Sequence, residues 1–226
     1  FFSTPTPAYE IPLRLVGSEM CIRDRIKLVG ERMKKVILTD IDGVVLDWEE
    51  GFSVWMEHHG HQKVDGYQFM YTIGDRYGMT YEAGSKMVKQ FNESAAIGFL
   101  PPLRDAQEIV KLLNKNYGYR FVICSSLSKD KDAQELRIRN LEKIFGDIFD
   151  EHVYLDTGED KDAALYKLGK KYRGCLWVED KVENAFAGEK VDFEPIVMEH
   201  GYNMNDEHEF FVAKKWEDIF LKEIKG

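Results

Sequence analysis

Asp40 and Asp42 stand one residue apart where the apolar run Val36-Ile37-Leu38-Thr39 ends, and Gly43 follows them. Carboxylates so spaced can hold a hard cation, attack an electrophile, or exchange a proton with a leaving group. At the carboxyl end of a parallel strand, side chains project into the crevice where α/β folds bind ligands. Gly43 permits the backbone turn that leaves both carboxylates facing one site. The same DxDG string occurs in solvated turns and calcium sites, so its meaning depends on its company.

Three later segments supply that company. Phe121-Val-Ile-Cys-Ser125-Ser126 is an apolar run ending in hydroxyl residues, Lys161 follows a third such run, and Trp177-Val-Glu179-Asp180 is a fourth, ending in paired acids with Asn184 one helical turn on. Each has an ordinary reading: a serine after a strand caps a helix, an isolated lysine is a surface residue, and an acid pair is solvated. Together they bring a nucleophile, a hydroxyl donor, a cation and a metal-binding carboxylate to strand carboxyl ends in one order.

The elements that must position these residues alternate along the chain. Val36–Thr39, Arg120–Cys124, His152–Leu155, Cys175–Val178 and Pro195–Met198 read as buried strands of a parallel sheet. Helical patterns separate them. Ala106, Ile109, Val110 and Leu113 share a face of a helix over 103–116, and Ala133, Leu136, Leu141 and Ile144 do so over 130–145. Further helices are expected over 160–172 and 209–224. The fold class is therefore α/β, a Rossmann-like parallel sheet flanked by helices.

The stretch 47–100 is too long for one crossover helix and is rich in aromatic residues, with helical periods at 47–59 and 80–94. It reads as a small helical cap inserted after the first strand, between core segments 33–46 and 101–226. Pro101-Pro102 punctuates the return to the sheet.

The formal net charge of -9 disfavours a polynucleotide partner, because phosphate-backbone binding relies on Lys and Arg releasing counterions. It leaves room for a small anion held by a local cation or metal. No apolar run approaches the ~20 residues that span a bilayer, and Cys21, Cys124 and Cys175 form no CxxC or Cys/His pattern. A cytoplasmic enzyme without a membrane partner is expected; the oligomeric state is left open. His58, His59 and His61 lack the spacing of a zinc site and read as a solvated helix end. Lys167 to Arg173 reads as a solvated helix C-terminus.

The four segments resemble the motifs of the haloacid dehalogenase-like hydrolases, over Val36 to about Asn203. That resemblance implies a phosphatase in which Asp40 attacks phosphorus and forms an aspartyl-phosphate. Asp42 would protonate the leaving oxygen and then activate water. Ser125, Ser126 and Lys161 would bind the transferred phosphoryl group, and Mg2+ would be held by Asp40, the Asp42 backbone carbonyl and Asp180. Within the superfamily, the chain looks most like the 5'(3')-deoxyribonucleotidase-like branch. The carrying features are the helical cap, Phe121-Val-Ile-Cys-Ser-Ser126, and Glu199-His-Gly-Tyr-Asn203, similar to a His-Pro-Tyr-Asn segment with Gly201 in place of Pro. Glu179 stands where that branch has Asp.

The resemblance implies a (deoxy)nucleoside monophosphate as substrate; the aromatic residues of 48–81, Trp48 and Phe52 foremost because they follow Asp42 closely, could stack on its base or pack as core. The alternatives are a sugar phosphate or other small phosphorylated metabolite, and a non-catalytic binding or regulatory protein on the same fold.

Residues 1–32 stand apart. They carry three of the six prolines and no periodic pattern, and Leu13 to Arg25 resembles translated sequencing-adapter read-through. The expectation is a non-native extension, with Met33 as the natural start; the alternative is a genuine short amphipathic segment.

Overall fold

In the computed structural model, residues 35–225 are described, so the expectations for residues 1–32 and for Met33 lie outside them. Six strands form the sheet: β1 Val36–Thr39, β2 Arg120–Ser126, β3 Phe149–Leu155, β4 Leu176–Glu179, β5 Glu194–Met198 and β6 Phe211–Ala213. Their order is β3-β2-β1-β4-β5-β6, with every neighbouring pair parallel. This is the expected Rossmann-like α/β architecture.

Parallel strands covered on both faces bury consecutive residues, and here the two-residue period sorts them. Ile37, Phe121, Ile123, Leu176, Val178, Ile196 and Met198 enter one hydrophobic cluster. Their neighbours Leu38, Val122, Cys124 and Trp177 enter another on the opposite face. Helices α4 Ala106–Tyr117, α5 Lys131–Phe145 and α8 Trp216–Lys225 supply apolar side chains to the first. Helix α6 Asp162–Tyr172 covers the second, joined by Ala187 of α7 Val182–Glu189.

Helix starts follow local chemistry. Asp130 accepts a hydrogen bond from the Ala133 amide at the head of α5, satisfying a donor that the helix cannot. Helix α4 ends on Gly118, whose φ of 74° is costly for any residue with a Cβ.

Between β1 and α4 lie α1 Trp48–His58, α2 Ile73–Arg76 and α3 Tyr81–Asn92, with short 3-10 turns at Tyr67–Phe69 and Ala95–Phe99. Phe52, Met56 and Phe91 from this stretch pack in the same cluster as Ile41, Val44, Val45 and Leu46, which follow β1. The helical insertion thus shares its apolar interior with the loop that follows β1.

One expected element is corrected. The stretch 209–224 is not one helix: Phe211–Ala213 pairs with β5 as the edge strand β6, and the helix begins at Trp216. The Trp216 and Glu217 amides donate to Asp105, whose carboxylate caps that later start. The short α2 and α7 were also not foreseen. Among the described residues, no helix is long and apolar enough to cross a membrane.

Candidate active site

Because β1 lies between β2 and β4, the three strands present their carboxyl ends side by side at the point where strand order reverses. Asp40 follows β1, its amide donating to the Val178 carbonyl of β4 at 2.9 Å. The chain then turns tightly, with the Val45 and Leu46 amides both donating to the Ile41 carbonyl at 2.9 Å. Gly43 sits in this turn at φ 74°, where a Cβ would stand 3.0 Å from a carboxylate oxygen of Asp180 and 3.3 Å from the Tyr202 hydroxyl. Glycine is required there both for the backbone and for the space.

Lys161, at the head of α6, is only 2% exposed. Its ammonium lies 2.7 Å from Asp40 and 2.7 Å from Glu179. Burial by itself would lower the lysine pKa, but the Asp40 and Glu179 carboxylates outweigh it and raise the pKa, so the ammonium stays charged. Glu179 is fully buried, and burial pushes its pKa well up despite Lys161. Its second oxygen accepts from the Lys181 amide at 3.1 Å. Glu179 is therefore engaged on both oxygens, as an anchor for Lys161 and for the turn into α7.

Asp180 is held from the loop after β5. The Tyr202 hydroxyl donates to its carboxylate, and Asn203 Nδ2 donates to its carbonyl at 2.7 Å and to the Met198 carbonyl at 2.9 Å. His200 reaches the Gly43 carbonyl through Nε2 at 2.7 Å and stacks on Tyr202, centroids 5.1 Å apart. Burial, then the negative Asp180, raise the Tyr202 pKa and keep its hydroxyl protonated as a donor.

Asp42 meets a partner that sequence reasoning did not single out. Arg137 of α5, fully buried, contacts Asp42 Oδ1 through Nη1 and Oδ2 through Nη2 at 3.3 Å. Burial raises the Asp42 pKa to about 6, against the lowering effect of Arg137. A carboxyl group poised there can serve as acid and base near neutral pH. The overlooked signal was a charged residue within an apolar stripe, since Ala133, Arg137 and Leu141 recur every four residues.

A cavity of about 570 Å³ opens over these groups, lined by Asp40, Asp42, Ser126, Lys161, Asp180 and Trp48 among others. Ser126 donates to the Glu159 carbonyl at 3.3 Å. Ser125 is buried, and its Oγ has no hydrogen-bond partner among the described residues. Trp48 stacks on Phe52 with centroids 4.5 Å apart and donates through Nε1 to Asn92 at 3.0 Å.

Phe52 requires a correction. It is 1% exposed, enclosed by the rings of Trp48, Trp55, Tyr77 and Phe91, and does not line the cavity. In α1 it is four residues from Trp48, so the two rings stack and the inner one seals the insertion's interior. The cavity wall instead carries Tyr67, Tyr71 and Tyr81 of the aromatic stretch, together with Lys63 and Arg76, which the sequence did not single out. His58 and His59 are exposed, each bonding through Nδ1 to the carbonyl four residues earlier.

Asp40, Glu179 and Asp180 can each offer a carboxylate oxygen, all within 4.8 Å of one another. One ammonium, Lys161, contacts Asp40 and Glu179 and faces three acidic side chains in all. A hard divalent cation fits that oxygen-rich cluster.

No family model matches the chain. Over 154 residues, 66% of the chain, it is 29% identical to an uncharacterized 32.4 kDa protein of the Gp30-rIII intergenic region of Enterobacteria phage T4, and it spans about half, 54%, of that protein's length. Solved structures share its fold. A haloacid dehalogenase-like family hydrolase from Streptococcus pneumoniae superposes with a TM-score of 0.57 at 11% identity, covering 83% of this chain and 97% of that one. The L-2-haloacid dehalogenase of Xanthobacter autotrophicus, with chloropropionic acid covalently bound, gives 0.55 at 12% identity over 86% and 100%. The D,D-heptose 1,7-bisphosphate phosphatase of B. bronchiseptica, complexed with magnesium and phosphate, gives 0.50 at 10% identity over 83% and 98%. The chain has the haloacid dehalogenase-like hydrolase fold.

Proposed function

We propose that this chain is a magnesium-dependent phosphomonoester hydrolase working through an aspartyl-phosphate on Asp40. The observation that carries the reading is the buried Lys161 ammonium bridging Asp40 and Glu179 beside Asp180. A carboxylate attacking a phosphate dianion must overcome like-charge repulsion, and a fixed cation facing the attacking oxygen serves that need. The phosphatase with magnesium and phosphate among the fold's relatives is consistent with the same chemistry.

In this reading Asp40 attacks phosphorus while Asp42, in its neutral form, gives its proton to the departing oxygen. Asp42, now a carboxylate, takes a proton from water as that water displaces Asp40. Lys161 orients Asp40 and offsets charge on the phosphoryl oxygens. Ser126 at the cavity and the unsatisfied Ser125 hydroxyl are the candidate donors to them. Mg2+, when bound by Asp40, Asp180 and the Asp42 backbone carbonyl, would supply further charge neutralisation. Residues 47–100 would act as the cap, on a core of 33–46 and 101–226, in a cytoplasmic enzyme.

The preferred substrate class is (deoxy)nucleoside monophosphates, as in the 5'(3')-deoxyribonucleotidase-like phosphatases. The aromatic cavity wall of Trp48, Tyr67, Tyr71 and Tyr81 offers a base flat surfaces. Hydrolysis of p-nitrophenyl phosphate with Mg2+, and its loss on chelation, tests the reaction. A panel of phosphomonoesters tests the substrate: a sugar phosphate turned over ten times better than any nucleotide would replace that assignment. No turnover of any ester would favour a binding protein.

A further inference from the structure

We propose that Arg137 is a positioning residue for proton transfer, holding the Asp42 carboxyl group in the orientation from which it exchanges protons with leaving group and water. The inference rests on the phosphatase reading of Asp42 and adds a residue outside the four segments that suggested it.

Arg137 occupies an expensive position. Its side chain is fully enclosed, and an enclosed guanidinium needs a counter-charge to remain there. Among the described residues its ion-pair partner is Asp42, and its Nε is buried without a hydrogen-bond partner. Both terminal nitrogens go to a single carboxyl group.

The helix that carries it is anchored at two points. Asp130 caps α5, and Asn140, one turn after Arg137, donates to the Leu100 carbonyl at 3.0 Å where the insertion returns to the core. By contrast, the Asp42 side chain is 20% exposed and lines the cavity. Arg137 therefore ties a carboxyl group that faces the cavity to a helix anchored at its start and again one turn beyond Arg137.

The contacts are unequal. Oδ1 accepts from Nη1, while Oδ2 has a 3.3 Å contact to Nη2, long for a hydrogen bond to a charged donor. Oδ2 is the oxygen left to carry the proton. As the bond from Asp40 to phosphorus forms, the bond to the leaving oxygen breaks and that oxygen takes the proton from Oδ2. In the second step Oδ2 takes a proton from water as the new oxygen–phosphorus bond replaces the one to Asp40. Arg137 exchanges no proton in either step.

The test compares kcat/KM for p-nitrophenyl phosphate, whose phenolate leaves without a proton, and for glycerol 2-phosphate, whose alkoxide needs one. Wild type, Arg137→Gln and Arg137→Lys are measured with thermal melts and circular dichroism. Arg137→Gln is expected to lose ~10²-fold or more on the alkyl ester, the size of a lost acid, and under about a tenth of that on the aryl ester. Arg137→Lys, with one point charge, should fall between on the alkyl ester, and it carries the test alone if the glutamine variant does not fold. Equal losses on both esters, or none on either, would overturn the proposal. A wild type that cleaves neither ester would overturn the phosphatase reading and this inference with it.

Discussion

The ammonium of Lys161 stands 2.7 Å from a carboxylate oxygen of Asp40, with both residues almost completely enclosed. One group follows β1 and the other opens α6, so the contact exists only because the sheet places β1 beside β4 and β2. In the proposed mechanism it also divides the labour of the acidic cluster: Glu179 anchors the lysine, and Asp40 and Asp180 would hold the cation.

Replacing Lys161 with Met removes the ammonium that contacts both Asp40 and Glu179. Breaking a buried pair from one side costs about 3–5 kcal/mol, to be measured by urea unfolding at neutral pH. Added Mg2+ should recover part of that loss by taking over the neutralisation. A variant that unfolds like the wild type, with or without Mg2+, would show the cluster to be electrically slack.

Asp40→Asn is expected to abolish turnover, because an amide cannot attack phosphorus and binds a cation poorly. Asp42→Asn should cut kcat by ~10² or more through lost acid/base catalysis, while sparing Mg2+ affinity measured by calorimetry. Near-normal rates in either would overturn the mechanism.

The Asp42 pKa, raised by burial to about 6, has opposite consequences for the two half-reactions. Donation to the leaving oxygen needs the protonated form, so kcat/KM for alkyl phosphates should fall as pH rises through about 6. Activation of water needs the carboxylate, so the phosphoenzyme should persist longer below that pH. Rapid-quench measurement of the phosphoenzyme at pH 5 and 7 checks the second half.

Trp48→Ala and Phe52→Ala should now diverge. Phe52 is sealed in the insertion's interior, and its loss should destabilise by about 3–5 kcal/mol with no selectivity between substrates. Trp48 lines the cavity, so its loss should raise KM for nucleoside monophosphates more than for p-nitrophenyl phosphate. A parallel rise on both substrates would assign Trp48 to packing.

Gly201 lies so close to the insertion that a Cβ there would overlap the Gln68 carbonyl. Gly201→Ala should therefore destabilise by about 1–3 kcal/mol, read in the thermal melt. It should also raise KM for substrate, because the Tyr67–Phe69 turn must shift from the cavity wall. An unchanged KM would show the contact to be mere packing.

Asp40, Asp42, Lys161 and Asp180 could be named from the sequence because each is tied to the end of an apolar run. The sheet followed from the same runs, since parallel strands buried on both faces leave a contiguous apolar trace. Edge strand β6 escaped because it is three residues long and runs into helix α8, so the helical period swamped it. Phe52 was misassigned because proximity along the chain to Asp42 does not tell which side of α1 faces the cavity. Arg137 and the Tyr202 hydroxyl come to Asp42 and Asp180 from α5 and from the loop after β5. Local pattern determines which residues end strands and which stripe a helix buries. Which buried charge meets which carboxylate depends on packing between elements remote in sequence, and only the tertiary structure decides that.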